Sequence, residues 1–528
     1  MDYLNSRLRK PIAALAAFVA LVAASAGHAA TITVHTTADP GGGSDCSLRF
    51  AMAASIAKVP IAGCPAGSGD DSIVFGPGVT GTIALSAGLP ALSSGTLAIV
   101  GPGGAAGITI DGTKVETVFS VNSRGALRLS KLTVVNANDT AVANVGAELT
   151  IDQCTFSHNR GETTGGGAIF VSAGSTTITA STFSANSSTV TDTLLFGGGA
   201  IFARSPPGTP NTLTITASTF DQNSSDSDGG AILTVNSAVT IVNSTFARNS
   251  AQAGGGAIWD SGSEVFVTNS TFSKNLVGSG FGGAVHVAEA VSLSLKGSIL
   301  AGKAGGNCFG AISDAGYNIS DDGSCGFSGT SRNNLDPKLD AAGPANNGGP
   351  TPTIALTVGS PAVDAIPIAS CTDQASPPQP LATDQRGAGR PDAEDAGKPA
   401  CDIGAYELIE CAGAFPSVPT VFPPNGKFVA ESVLGASGVT ITGILQDEPI
   451  RKCPVATGVG TGTARVRAER DDRRGGRTYH LRFRAAAATI GGTCLGEVKV
   501  CVPHDRAHVA CTDAGALFDS TCAAAILQ

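Results

Sequence analysis

The 528-residue chain carries a formal net charge of −9, only 14 % charged side chains, and 69 glycines. That balance excludes a nucleic-acid-binding face, which needs a basic patch, and the abundance of Gly, Ala, Ser and Thr leaves little room for helices. Thirteen cysteines make disulfides an expectation wherever the chain meets an oxidising compartment.

The N-terminus points to such a compartment. Arg7, Arg9 and Lys10 precede an apolar run from Ile12 to Ala24 and then Gly27-His28-Ala29, which predicts a secretory signal peptide over residues 1–29. The run is shorter than the roughly 20 apolar residues that span a bilayer, and no later stretch is apolar enough. A secreted, extracellular or cell-surface protein without a transmembrane segment after signal removal is therefore expected. Cysteine pairing cannot be deduced from sequence; the short-range candidates are Cys46 with Cys64, Cys308 with Cys325, and Cys371 with Cys401.

Residues 30–115 read as an N-terminal cap followed by the first turns of a repeat array. Leu48, Met52 and Ile56 fall at helical spacing, so a short helix could cover the open end of the array and its unpaired strand edges. The stretch Asp45-Cys46-Ser47-Leu48-Arg49-Phe50-Ala51-Met52, followed by Cys64, resembles the CSLREA motif found at the start of many secreted β-helix proteins. Phe50 and Met52 stand where that motif has Glu and Ile.

Residues 116–304 repeat one pattern. Ala168, Ala200, Ala231, Ala257 and Ala284 each follow a Gly-Gly step, and Phe156, Phe183, Phe220, Phe246 and Phe272 each open a Phe-x-x-Asn. The last two phenylalanine steps are 26 residues, and the longer ones contain insertions, Ser187 to Phe196 and Ser205 to Asn211. A fixed period with local insertions marks a solenoid. Alternation such as Val239-Thr240-Ile241 and Leu213-Thr214-Ile215 gives a strand period, so each unit supplies three short strands and their corners, one turn of a parallel β-helix whose turns stack about 4.8 Å apart. The phenylalanines would then form an internal stack, and Asn159, Asn186, Asn223, Asn249 and Asn275 a ladder of amides. The glycines suit a corner needing positive φ or close backbone approach. Cys154 occupies the column of Ser181, Ser218, Ser244 and Ser270, which reads as a buried odd thiol; only His158 is near it in sequence as a basic partner. The paired Gly-Gly-Ala-Ile and Phe-x-x-Asn motifs resemble the polymorphic outer membrane protein repeats, a resemblance that implies a β-helical surface protein or adhesin, usually carried by a C-terminal membrane barrel; the chain ends without a run of amphipathic barrel strands.

Residues 305–410 contain Asn346-Asn347-Gly348-Gly349-Pro350, Ser360-Pro361-Ala362-Val363-Asp364, Asp384-Gln385-Arg386-Gly387 and Cys401-Asp402-Ile403-Gly404-Ala405-Tyr406-Glu407. This series is similar to the choice-of-anchor Q module, which closes a β-helix in bacterial surface proteins. Asp384, Arg386, Arg390, Asp402 and Glu407 could form a catalytic carboxylate set or a ring of ion pairs pinning loops over the helix end; the density of proline and glycine favours the ion pairs. Residues 411–420 read as a linker, and residues 421–528 as a small antiparallel β-sandwich with a Cys-rich tail. This last stretch resembles an immunoglobulin-like module in Phe422-Pro423-Pro424-Asn425, Asp447-Glu448-Pro449 and Val502-Pro503-His504-Asp505. A metal at His504, Asp505 and His508 lacks further ligands at matching spacing, and Arg467, Arg470, Arg473, Arg474 and Arg477 read as a solvated hairpin that could touch an acidic polymer.

The fold class expected is thus all-β: a right-handed parallel β-helix, a pectin-lyase-like solenoid, followed by a small antiparallel β-sandwich. Two functions compete. A non-catalytic adhesin would bind an extracellular glycan or a host or cell-surface protein. A polysaccharide lyase or glycoside hydrolase would need carboxylates converging across adjacent turns. The repeat-borne candidates are Asp226, Asp228 and Asp260, with Arg248 as a base; His158, Arg248 and Lys274 form a partial basic stripe. No cofactor is expected, and calcium is the one ion the carboxylates could hold. Carboxylates appear singly in the repeat columns and never stack, which favours binding.

Overall fold

The computed structural model describes residues 29–522 apart from residues 42–43, 104–106, 114, 191–196, 207, 210, 289–292, 303–304, 392–399, 412, 451–452, 471–474, 487–492 and 506–509. Residues 1–28 of the expected signal peptide, the inserted loop Thr191 to Phe196, Arg473, Arg474 and His508 lie outside the described residues. The first part of the chain is a right-handed parallel β-helix. A long wall of 11 strands runs from Thr31–Val34 to Ile312–Asp314. A second wall of 10 strands, from Gly81–Ala84 to Ile319–Ser320, carries the phenylalanines. A third of 8 strands runs from Thr117–Asn122 to Cys308–Phe309. Central turns add a fourth wall of two-residue strands, 5 in all, such as Ser187–Ser188 and Ser224–Ser225. Four walls rather than three arise because two residues after each ladder asparagine stay extended before the glycine corner turns the chain.

Columns of like residues hold the turns in register. Phe183, Phe220, Phe246 and Phe272 stack with ring centroids 4.7–4.8 Å apart and nearly parallel, all fully buried. Each ladder asparagine donates to the next one's Oδ1, as in Asn223 Nδ2 to Asn249 Oδ1 at 2.9 Å, and to a main-chain carbonyl of the preceding turn. At the opposite corner the backbone N–H of Cys154, Ser181, Ser218, Ser244 and Ser270 donates to the hydroxyl of the next serine, a second ladder. The residue before each ladder asparagine, His158, Ala185, Gln222, Arg248 and Lys274, has φ between 52° and 58°. Non-glycine residues therefore make this left-handed corner, and the ladder bonds offset its steric cost. At the Gly-Gly corner close approach decides: a Cβ on Gly230 would lie 2.1 Å from the Gly256 carbonyl oxygen.

The helix Leu48–Ala57 caps the N-terminal end, with Ser47 accepting from the Phe50 N–H. Leu48, Ala51, Met52, Ala54 and Ser55 are buried, whereas Ile56 is 37 % exposed; the helix turns a small-residue face inward, so the expected Leu48, Met52 and Ile56 face is rotated by part of a turn. Asp39 fixes the helix through Arg49 at 2.8 Å. Six disulfides join Cys46–Cys64, Cys308–Cys325, Cys371–Cys401, Cys411–Cys494, Cys453–Cys522 and Cys501–Cys511. Cys154 is the free, buried thiol, and burial pushes its pKa up to about 12, so it stays protonated and unreactive.

The segment from about residue 340 to 408 does more than cover the helix end. It runs back as a strap along the outside of the phenylalanine wall, where Thr219, Thr245 and Thr271 stand in one column. Gln385 donates to Thr219 Oγ1 at 2.8 Å and accepts from Thr245 at 2.6 Å, Thr351 donates to the Ala217 carbonyl, and the Ala405 N–H donates to Thr271. Outward threonines, ordinarily solvated, are thereby buried. Beyond the strap two antiparallel four-stranded sheets pack on Tyr479, Leu481, Phe483 and Val500. The two ends of the stretch expected as a linker touch the strand Thr493–Val502, with Cys411 N to Leu495 O at 2.9 Å and Val421 N to Cys501 O at 2.8 Å, while Phe415–Pro416 pair with Val433 and Leu434.

Candidate functional site

The sequence-derived acids do not converge. Asp260 lies on the strand Ile258–Ser261, where Ile258 and Asp260 point inward; it is fully buried and accepts from Thr234 of the preceding turn at 2.8 Å. Burial pushes its pKa up against the hydrogen bonds it accepts, and its inward position puts it out of reach of a polymer. Asp226 is exposed on the preceding corner and Asp228 is buried beside the third wall. Arg248 forms a two-pronged pair with Asp221 of the adjacent turn, at 2.9 and 2.5 Å, and Lys274 donates to the Ala341 carbonyl of the strap. The basic stripe is thus largely engaged within the molecule. His504 Nδ1 is 3.1 Å from Asp505, and among the described residues no three metal-type side chains converge.

The carboxylates of the strap are interior. Arg386 pairs with Asp384 at 2.7 Å and lies over the Tyr406 ring at 3.7 Å, and Arg390 pairs with Glu407 at 2.9 Å while donating to the carbonyls of Asp402 and Gly404. Asp402 accepts from the Leu408 and Asp364 N–H groups. All five side chains are buried, which fits a clamp and leaves no access for substrate. Three carboxylates face two guanidiniums, so burial raises the affinity of Asp402 and Glu407 for a proton. Sign follows from linkage: the folded state holds a proton that the unfolded chain has released, so this contribution is greatest below the ordinary carboxylate pKa and is lost as pH rises toward the raised folded values. Hydrogen exchange at Asp402 to Leu408 should accordingly be slower, relative to intrinsic rates, at about pH 5 than at about pH 9. Equal protection at both would refute the shared-proton account.

A site that none of the candidate acids marks lies on the outside of the third wall. Along strands of this wall alternate residues face inward, such as Ile169 and Val171, leaving the residue two after each Gly-Gly-Ala alanine to face outward. In register these are Phe170, Phe202, Leu233, Trp259 and His286, continued by Phe309. Arg204 lies over the Phe170 and Phe202 rings, and this end of the row is buried. Toward the other end the row surfaces: Trp259 and His286 are half-buried, Phe309 is 44 % exposed and Phe281 is 58 % exposed. Phe281 stacks on Phe309 at 5.1 Å, and His286 lies 4.7 Å from Phe309 and 6.2 Å from Trp259.

Asp228 joins this cluster. Single bridges link Asp228 to Gly254 and Gly254 to Phe281, and a Cβ on Gly254 would sit 2.5 Å from His286 Nδ1 and 3.2 Å from Asp228 Oδ1. Glycine there is what lets the imidazole and the carboxylate approach each other. Burial raises the Asp228 pKa, opposed by Ser227 and by His286. The arrangement offers flat aromatic faces with a hydrogen-bonding acid and imidazole at their border. The cluster sets one acid beside one histidine, with Asp260 turned inward, whereas glycoside hydrolysis uses a pair of opposed carboxylates.

No curated protein and no solved structure matches the chain. Over residues 104–296, the span that holds the repeats and the aromatic row, the chain is similar to the family described as right handed beta helix region.

Proposed function

We propose that the protein is a secreted or surface-displayed, non-catalytic binding rod that engages an extracellular glycan through the outer aromatic row. The single observation carrying this reading is the cluster of Trp259, Phe281, His286 and Phe309, where the outer aromatic row of the third wall comes to the surface. Exposed aromatic surface of this kind marks an interaction site, and the negative ring face attracts the polarised C–H face of a sugar. His286, half-buried at the border of the cluster, would meet the sugar hydroxyls, with the buried Asp228 behind it. The leader-like N-terminus and six disulfides suit an oxidising, extracellular setting, and the repeat and anchor-module resemblances point the same way.

The test is incubation of the mature chain with neutral and acidic polysaccharides, with and without calcium, scoring pull-down, new reducing ends and unsaturated products. Binding without cleavage is expected, and Phe281→Ala and Trp259→Ala should each weaken it about tenfold or more, about 1.4 kcal/mol. Because Phe281 is largely exposed, its variant separates lost contact from lost folding. Cleavage would overturn the reading in favour of a polysaccharide-active enzyme, and capture of a cell-surface protein with no glycan binding would move the partner to that class.

A further inference from the structure

A second cavity, of about 560 Å³, opens between the strap and the outer face of the C-terminal sheet. Its volume lies within the range of small-molecule sites, about 300–1,000 Å³. On the strand Arg477–Ala486, Tyr479, Leu481 and Phe483 enter the sandwich core, so Arg482 and Arg484 project from the opposite face, into the cavity. Arg482 is held by Glu497 at 3.1 Å. Arg484 is exposed, and its guanidinium makes no hydrogen bond or ion pair with any described residue.

Two further observations point to a ligand. The pairing of Thr440–Gln446 with Arg477–Ala486 slips between Ile441 and Gly443, a bulge at the cavity wall, and bulges of this kind commonly re-aim side chains beside binding sites. Gly443 pairs with Arg482, and a Cβ built on it meets nothing nearer than the Arg482 Cβ at 3.9 Å; the space above it is left open by the absence of a side chain, not filled by a neighbour. The cavity is also held firmly. Leu495 reaches from the sandwich into the apolar cluster of Leu356, Tyr406 and Leu408, and the Cys411–Cys494 disulfide fastens the same edge.

We propose that this cavity binds a hydroxylated ligand bearing a single carboxylate, an acidic sugar unit, with Arg484 pairing its carboxylate. Planar guanidinium matches carboxylate geometry in two parallel hydrogen bonds. Asp340 and Asp519 also line the cavity; they accept hydroxyl hydrogens but repel a multiply charged phosphate, so the charge balance selects one negative charge rather than several. Leu356, Val358 and Leu495 supply the apolar side against which a sugar ring packs. The site is independent of the aromatic row.

Titration calorimetry on the full disulfide-bonded chain with glucuronate, glucose and inorganic phosphate tests this. Glucuronate is expected to bind, and glucose and phosphate to bind at least tenfold more weakly. Arg484→Ala should weaken glucuronate at least tenfold, Gly443→Val should block it by filling the open space, and Phe281→Ala should leave it unchanged. Equal binding of glucose or phosphate, no binding of glucuronate, or full affinity in both cavity variants would each overturn the proposal.

Discussion

Replacing Asn223 by alanine is expected to destabilise the β-helix by roughly 3–5 kcal/mol, far beyond the effect of an exposed asparagine. Asn223 is fully buried. Its Nδ2 donates to the Phe183 carbonyl at 3.0 Å and to Asn249 Oδ1 at 2.9 Å, while its Oδ1 accepts from both the N–H and the Nδ2 of Asn186 at 3.0 Å. Deletion therefore strands one carbonyl, one N–H and one amide in the interior, each costing about 1–3 kcal/mol when left without a partner. Gln222, immediately before it, sits at φ 58°, and its own N–H still donates to the Ala247 carbonyl, so the loss comes from the ladder contacts. Asn223→Asp should be no better, since a carboxylate keeps the shape but cannot donate to Phe183 or Asn249. Asn138→Ala, which removes one exposed bond to the Thr113 carbonyl, should change stability by less than about 0.5 kcal/mol. Because a solenoid is stabilised by nearest neighbours, hydrogen exchange should quicken most in the turns around Phe183 and Phe246. Denaturation midpoints for Asn223→Ala and Asn138→Ala that coincide would show the ladder to be incidental.

What could be read in advance was whatever the repeat forces into a column. The phenylalanine and asparagine positions recur in a fixed pattern because identical side chains meet in register, so one chain displays its own stacking. Two columns escaped for different reasons. The serine hydroxyls at the far corner act on the next turn's backbone, and serine is so frequent here that its recurrence carries little signal; Cys154 was noticed only because it breaks the series. The outer aromatic row is visible in the string as Phe170, Phe202, Leu233, Trp259 and His286, yet it lies one place before the column of Val171, Ala203, Thr234, Asp260 and Val287, where the candidate acid Asp260 faces inward. A shift of one residue along a strand exchanges interior for surface. The return path of the strap was illegible for another reason: Thr219, Thr245 and Thr271 look like solvated strand residues, and nothing local in sequence says that Gln385 and Ala405, between 134 and 166 positions later, will cover them. The junction cavity depends on two distant segments meeting, and no periodicity reports that.

Arg390→Met is expected to release the strap while leaving the repeats folded. Arg390 is fully buried and donates to Glu407 at 2.9 Å, to the Asp402 carbonyl at 2.7 Å and to the Gly404 carbonyl at 2.6 Å. Methionine retains most of the apolar stem but leaves a buried carboxylate uncompensated and two carbonyls without donors, a local loss of about 3–5 kcal/mol. Limited proteolysis should then cut between residues 345 and 407, and exchange should quicken at Gln385 and Ala405, whose bonds cover the threonine column, while the Phe220 and Phe246 turns stay protected. The defect should also be milder at about pH 5 than at about pH 8, because protonation removes the charge that Arg390 balanced; a methionine that merely packed badly would show no such relief. Leu356 and Tyr406 line the junction cavity and sit on the strap, so Arg390→Met should abolish glucuronate binding although Arg390 is not among the lining residues. Retention of both binding and proteolytic resistance at about pH 8 would mean that the threonine contacts and the Cys371–Cys401 disulfide hold the strap without the buried ion pairs.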